Sequence, residues 1–379
     1  MYQVESGNFQ KTEYLSPGGT VESVLGQVIP DNPASVGQIS SLISLCLEDP
    51  CSIRQVVEHA ARLKETVFGS GVKLFVPVYI SNHCINDCHY CGYRRSNAVM
   101  NRRTLSVDEF RQEIIKVTGM GYRVIEIVTS ESPALTRGNV LADYVSVTKE
   151  VLDKVPKSGD TPEIILMSWA LSEREFRDVR DAGLDSFYLW QETYNKDLYS
   201  MYHPGDTPKS DFEWRLGVFD RATRAGISRL GLGVLLGLDD WKSEVISLIE
   251  HGRYIERTYG ISPDAIGVPR FKHAEGACLD NPPSEVTDEE LKLIVALYRL
   301  AFPRTHLFLN TREKFPLIME LLKGGGSEMN IACAVFPGGY SSPRKDRQFD
   351  FYNYPTEITL ERLKDEGYST THFHLGIQA

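Results

Sequence analysis

No stretch of this chain is apolar for long enough to span a bilayer, and no basic segment followed by an apolar run opens it. No lysine- or arginine-rich block is present, and the formal net charge is −10. Neither nucleic acid nor an anionic membrane surface is therefore an expected partner. Internal repeats and low-complexity tracts are also missing. Cysteine is sparse and odd in number, seven in 379 residues, which argues against a disulfide framework. Reduced thiols suit the cytoplasm, the expected location. Four of the seven, Cys46, Cys51, Cys278 and Cys333, are scattered and read as small buried apolar residues. What remains is the composition of a soluble globular protein, 42% hydrophobic, enough for the core of one large barrel or two ordinary domains.

The other three cysteines stand together in Cys84-Ile85-Asn86-Asp87-Cys88-His89-Tyr90-Cys91. Three thiolates a few residues apart can wrap one face of a cubic iron–sulfur cluster. They hold three irons and leave the fourth without a protein ligand. Such an open iron can bind a small molecule through an amine and a carboxylate and pass it an electron. The competing reading is a structural zinc site completed by His83 or His89. Zinc ligands usually come as two separated pairs, and no second pair follows here. Spacing favours the cluster without deciding the matter.

From residue 73 onwards, strand-like apolar runs alternate with amphipathic helical patterns. The expected strands are Lys73–Ile80, Val124–Thr129, Glu163–Ser168, Ser186–Trp190, Ser228–Leu235, Ala265–Pro269, His306–Leu309 and Asn330–Ala334. Helical spacing covers Ser106–Met120, Asp211–Ala225, Lys242–Tyr259 and Thr287–Leu300. Ser106 with Glu109, and Thr287 with Glu290, read as capping boxes. Gly121, Gly183 and Gly226 sit where helices should stop. Eight strands linked by helices predict an α/β fold, most simply a closed (β/α)8 TIM-type barrel, although the pattern alone also allows an open sheet. Residues 1–70, with a helix around Ser52–Val67, read as an N-terminal extension packed on a barrel of residues 71–340, and 341–379 as a short C-terminal tail. In such a barrel, chemistry collects at the C-terminal strand ends. The cysteine loop follows the first strand, and Glu131, Ser168, Gln191 with Glu192, Arg270 and Arg312 fall at later ends.

At these residues the chain resembles the radical SAM enzymes that break aromatic amino acids. That group contains the thiamine-pathway tyrosine lyase, the hydrogenase-maturation tyrosine lyase and the tryptophan lyase of indolic-acid formation. The resemblance runs from about Val72 to Tyr340. It rests on Cys84 to Asn97, Gln191-Glu192-Thr193-Tyr194, Tyr202-His203-Pro204, Pro208-Lys209-Ser210, Trp214-Arg215, Gly231 to Trp241, Val268-Pro269-Arg270, Thr311-Arg312-Glu313 and Pro337-Gly338-Gly339-Tyr340. The ordered series is far more specific than the cysteine spacing alone. One departure matters: the hydrogenase-maturation branch continues into a domain with a second, cysteine-bound cluster. Here the tail Gly367-Tyr368-Ser369-Thr370-Thr371-His372-Phe373-His374 has no cysteine. Chemistry on an auxiliary iron is not expected.

The resemblance implies a [4Fe–4S] cluster on Cys84, Cys88 and Cys91 as cofactor, with S-adenosylmethionine (SAM) bound at its open iron. Tyr90 would lie against the SAM adenine, or only pack its loop. Glu131 would accept from the SAM ammonium. Glu192 and Arg215 would form a polar wall near the SAM ribose and carboxylate, or a structural pair; Gln191 packs. Arg312 would anchor the substrate carboxylate, Arg270 would face the same mouth or hold a structural carboxylate, and Tyr79 would lie near the substrate or in the barrel core. In the stretch Asn330 to Val335, relatives carry serine-rich residues where this chain has small apolar ones. Cys333 there lines the pocket, donates a hydrogen atom or fills space.

The implied reaction is reductive cleavage of SAM to a 5′-deoxyadenosyl radical, which takes hydrogen from the amino group of an aromatic amino acid. With tyrosine, slightly favoured by Gly92-Tyr93-Arg94-Arg95 and Gln191–Tyr194, the products are dehydroglycine and a p-cresol-type fragment. With tryptophan, toward which the altered strand eight and Thr371-His372-Phe373 lean, an indole acid forms. A low-potential flavodoxin or ferredoxin would supply the electron. A cluster-carrying assembly factor that cleaves no amino acid is the alternative of a different class.

Overall fold

A computed structural model describes residues 19–136, 140–156, 160–342 and 347–373. Residues 1–18 of the expected extension, and part of the expected tail including His374, lie outside the described residues. Eight parallel strands close on themselves: β1 (Gly71–Ser81), β2 (Val124–Thr129), β3 (Glu163–Met167), β4 (Ser186–Glu192), β5 (Arg229–Val234), β6 (Ala265–Gly267), β7 (His306–Leu309) and β8 (Glu328–Asn330). Each pairs with the next, and β8 pairs back onto β1. The closed barrel is the α/β fold the alternating pattern predicts. A ninth strand, β9 (Ser369–Thr371), lies parallel to the start of β1.

β1 is the longest strand because it serves three neighbours in succession. Gly71–Lys73 pair with β9, Lys73–Phe75 with β8, and Val76–Ser81 with β2. Proline in a central strand normally breaks a ladder. Pro77 is tolerated because β8 stops opposite Phe75, so the side of β1 beyond it has no strand to bond. The Tyr340 hydroxyl fills that gap, donating to the Pro77 carbonyl at 2.7 Å. This is the structural meaning of Pro337-Gly338-Gly339-Tyr340: at Gly339 a Cβ would fall 2.4 Å from the Ala334 Cβ.

Strand eight corrects the sequence reading. The apolar run expected as a strand over Asn330–Ala334 lies almost wholly past it, since β8 covers Glu328–Asn330. Ile331, Cys333 and Val335 are buried by packing in the loop beyond, where Ala332 takes a left-handed φ of 53°. The helix expected over Asp211–Ala225 is two, Phe212–Leu216 and Val218–Arg224, separated at Gly217. The capping boxes at Ser106 and Thr287 form, and Gly121, Gly183 and Gly226 take positive φ after their helices. Helix Ser52–Phe68 packs against Asp288–Ala301, and Val36–Glu48 against Trp241–Tyr259. No helix among the described residues is long and apolar enough to cross a membrane.

Two layers fill the barrel. At its N-terminal end, Lys73 sits 2.8 Å from Glu163 and 3.1 Å from Glu328, all nearly sealed from water. Arg229 reaches Glu163 and Asp264, each at 2.9 Å. Burial alone would raise the Glu163 carboxyl, but Lys73 and Arg229 outweigh it and hold it at about 2. Lys73→Met is expected to destabilise the fold by about 3–5 kcal/mol, because two buried carboxylates lose their shared cation. A urea midpoint shifted down at unchanged slope would show it; an unmoved midpoint would refute it.

Above this layer Phe75, Ile165, Tyr188, Trp190 and Phe308 pack together. Their bulk is accommodated by glycine on the facing strands. A Cβ at Gly231 would lie 2.3 Å from the Tyr188 ring, at Gly233 2.3 Å from the Trp190 indole, and at Gly267 2.4 Å from the same indole. Gly233→Ala is expected to cost about 1–3 kcal/mol by overpacking, seen as a lowered thermal midpoint.

Candidate active site

The cavity above Trp190 opens at the C-terminal ends of the strands and holds about 1390 Å³ of free space, its open mouth included. The loop after β1 brings the sulfurs of Cys84, Cys88 and Cys91 to its wall. Backbone and side-chain donors point at these sulfurs. The Asn86 N–H lies 3.5 Å and its Nδ2 3.6 Å from Cys84 Sγ; the Tyr93 N–H is 3.4 Å and Gln348 Nε2 3.6 Å from Cys91 Sγ. Such donors suit sulfurs that carry negative charge when they ligate metal. Burial raises the Cys84 thiol and pushes Cys88 up to about 12, with Lys209 opposing it. Among the described residues, no group of three or more His, Cys, Asp or Glu closes around a single metal ion. Three soft donors on one wall of a roomy cavity fit a cluster with an open iron.

Glu131, just past β2, is buried and accepts from Asn86 Nδ2 at 2.7 Å. Burial raises its carboxyl. The Ile85 N–H donates to the Glu131 carbonyl at 3.0 Å, tying the cysteine loop to this residue. Asn86 Oδ1 is buried without a partner and Asn86 lines the same wall, leaving an acceptor beside Glu131 for an incoming N–H.

Glu192 enters the cavity through a bulge at the end of β4, where the register shifts between Trp190 and Glu192 and Glu192 adopts a φ of 74°. Bulges re-aim side chains in this way beside active sites. Lys209 Nζ lies 2.9 Å and an Arg215 nitrogen 3.2 Å from its Oε1. Burial would raise this carboxyl, yet Lys209 and Arg215 hold it at about 2. Arg215 also donates to the Trp190 carbonyl at 3.0 Å, so it braces the bulge as well as lining the cavity. Gln191 is buried but does not line the cavity.

Tyr90 lines the cavity with its ring 5.6 Å from Lys209 Nζ. His203 Nδ1 meets the Tyr199 carbonyl at 2.7 Å, which fixes the proton there and leaves Nε2 to accept from the Tyr90 hydroxyl at 2.8 Å. Tyr79 stands edge-on to Tyr93 with centroids 6.1 Å apart and donates to Gln348 at 3.1 Å.

The two arginines of the later strand ends part company. Arg312 lines the cavity, donates to the Arg270 carbonyl at 3.2 Å and stacks 3.6 Å above the Phe349 ring. No carboxylate among the described residues pairs with it, and burial lowers its pKa. Arg270 is not on the cavity wall: its guanidinium pairs with Glu313 and with Asp288 at 2.8 Å, and donates to the Val286 carbonyl at 2.9 Å. Cys333 is buried behind the wall, clustered with Tyr79, Tyr93 and Val335. Cys51 and Cys278 are exposed, against expectation. Cys51 sits in the turn before Ser52–Phe68, and Cys278 in a surface loop whose backbone clasps the His89 carbonyl at 2.8 Å.

A strap over the mouth has no counterpart in the sequence reading. The Gln348 carbonyl accepts from the Gly92 N–H at 3.0 Å, the Asp350 N–H reaches the His273 carbonyl at 2.8 Å, and the Tyr352 N–H reaches the Thr311 carbonyl at 2.7 Å. Gly92 has to be glycine for this contact, since its Cβ would lie 2.6 Å from the Gln348 oxygen. Asn86 and Lys209 were visible only as members of motifs; their distant partners supply their roles.

Residues 78–250 match the model of the radical SAM superfamily. The chain is 29% identical over 306 residues to 2-iminoacetate synthase of Escherichia coli strain K12, covering 78% of each. The crystal structure of HydG, a maturase of the [FeFe]-hydrogenase, superimposes with a TM-score of 0.84 at 30% identity, over 93% of this chain and 75% of that one. HydG from Carboxydothermus hydrogenoformans gives 0.84 at 29%, over 94% and 80%.

Proposed function

We propose a function on the premise that this chain belongs to the radical SAM aromatic amino acid lyase family: it binds tyrosine and breaks the Cα–Cβ bond, giving dehydroglycine and p-cresol. When bound, the family's [4Fe–4S] cluster supplies the electron that splits SAM into methionine and a 5′-deoxyadenosyl radical. Cys84, Cys88 and Cys91 would hold that cluster. Glu131 and the free Asn86 Oδ1 accept from the SAM ammonium, and the ionised Glu192, backed by Lys209 and Arg215, lines the SAM side of the cavity with Tyr90.

The observation that carries the substrate side is Arg312, a half-buried cation on the same wall system as the three sulfurs, with no carboxylate among the described residues paired to it. Its planar fork suits the carboxylate of an amino acid. Arg270 is occupied by Glu313 and Asp288 and holds Arg312 through its carbonyl. Tyr79 borders the amino acid. Gln348 and Phe349 cover the mouth, and their role is to exclude water and quenchers from a reactive site. Dehydroglycine is 2-iminoacetate, the compound in the name of the Escherichia coli relative, which supports cleavage at Cα–Cβ. A carrier of clusters needs no amino acid anchor. The unpaired thiols suit a reducing cytoplasm, where a low-potential flavodoxin or ferredoxin would supply the electron for SAM cleavage and the further electron that, with a proton, turns the benzylic radical fragment into p-cresol.

The test is anaerobic incubation of reconstituted, reduced protein with SAM and each aromatic amino acid. Tyrosine-dependent 5′-deoxyadenosine with p-cresol and glyoxylate, the hydrolysis product of dehydroglycine, is the expected result. An indole acid from tryptophan would reassign the substrate. No deoxyadenosine dependent on any of them would remove the lyase reading.

A further inference from the structure

Glu126 has no part in the roles above, yet it is the one carboxylate set into the cavity floor. It lies mid-strand in β2, opposite Pro77 of β1. It alternates in phase with Val124 and Val128, so its side chain enters the barrel. The residue is 3% exposed and lines the floor beside Met167, Trp190 and Phe308. Its Oε1 is buried with no hydrogen-bond partner. Among the described residues no cation pairs with it, and Lys73, the cation of the layer below, is held by Glu163 and Glu328.

A buried, unpartnered carboxyl on an apolar floor is an unmet hydrogen-bonding demand. Nothing in the fold requires it, because the neighbouring inward positions are filled by apolar side chains. Burial, then Glu328, push this carboxyl up to about 8, so at neutral pH it is an acid with one O–H to donate and oxygens to accept. It sits three residues before the end of β2, roughly 10 Å of strand below the mouth. That depth matches an aromatic amino acid held by its carboxylate at Arg312 with its ring pointing down.

We propose that Glu126 is the specificity-determining residue that hydrogen-bonds the polar edge of the substrate ring, a phenol hydroxyl or an indole N–H, and so selects a polar aromatic amino acid over phenylalanine. The proposal rests on the lyase reading and adds to it the group that reads the side chain. Phenylalanine would bury the same ring while leaving Glu126 unpartnered, and that penalty is the discrimination.

The test is calorimetric titration of tyrosine, tryptophan and phenylalanine into anaerobically reconstituted, SAM-loaded protein without reductant, so that binding is read without turnover. Wild type is expected to bind tyrosine or tryptophan about 10- to 100-fold more tightly than phenylalanine. Glu126→Gln should keep most of that ratio, and Glu126→Leu should collapse it while leaving phenylalanine as tight or tighter. Equal affinity of the wild type for phenylalanine and the polar pair overturns the proposal without any variant. So does an unchanged ratio in Glu126→Leu; in both cases the lyase reading stands. Binding of no aromatic amino acid to the wild type overturns both together.

Discussion

Cys88→Ala is expected to abolish SAM cleavage and to strip the protein of its iron and brown colour, while leaving the barrel folded. Cys88 is the middle of the three sulfurs and is 5% exposed, so water cannot easily take its place. No spare thiol can replace it either: Cys333 is buried behind the cavity wall and Cys278 lies in an exposed loop. The loop carrying it leaves the C-terminal end of β1 and contributes nothing to the sheet ladders. A change of Cys to Ala there should move stability by no more than about 1 kcal/mol. Iron content, visible absorption and deoxyadenosine yield are then the decisive measurements, with far-ultraviolet circular dichroism as the folding control. A Cys88→Ala protein that keeps full iron and cleaves SAM at the wild-type rate would dismiss the cysteine assignment.

Arg312→Ala is expected to weaken amino acid binding by two orders of magnitude or more while sparing iron content and SAM binding. A hydrogen bond to a charged partner contributes about 1.5–3 kcal/mol. Two parallel ones, at about 1.4 kcal/mol per decade, give roughly 10²–10⁴-fold. The lower end is favoured because the mouth is partly open to water. Arg312→Lys should recover only part of the loss, since an ammonium keeps the charge but not the fork. Arg270→Ala is the contrasting control. Its pairs with Glu313 and Asp288 make it a brace, so its removal should lower the thermal midpoint first. If Arg270→Ala removed substrate binding with the fold intact and Arg312→Ala did not, the two roles would have to be exchanged.

Seven of the eight barrel strands were legible because strands covered on both faces read as continuous apolar runs. The cysteine loop and the strand-end polar residues were legible for the related reason that a barrel gathers them at one rim. Strand eight misled because Ile331, Cys333 and Val335 are apolar for packing inside a loop, and burial alone cannot distinguish a loop from a strand. Arg270 and Arg312 look alike in sequence; what separates them is Glu313 and Asp288, which reach Arg270 only in the folded chain. Lys73 and Glu163 open two of the expected strands with no sign in the sequence that they meet; closure of the barrel brings them together with Glu328. Glu126 too stands at an inward-facing position, but closure gives it no partner.

The three-way pairing of β1 also sets the order in which this barrel can be completed during synthesis. β1 is the first barrel strand to leave the ribosome, yet the partner of Gly71–Lys73 is β9, the last strand in chain order among the described residues. β8, which closes the ring on Lys73–Phe75, is also made late. Until those strands are made, the strand that bears the cysteine loop therefore keeps an open edge, the kind of surface that invites mispairing with other chains. Pro77 and the charged Lys73 stand on that strand, two residues that natural sheets use to discourage such contacts. The same delay leaves the rim beside Cys91 uncovered until the strap that bonds Gly92 and Cys91 through Gln348 is made.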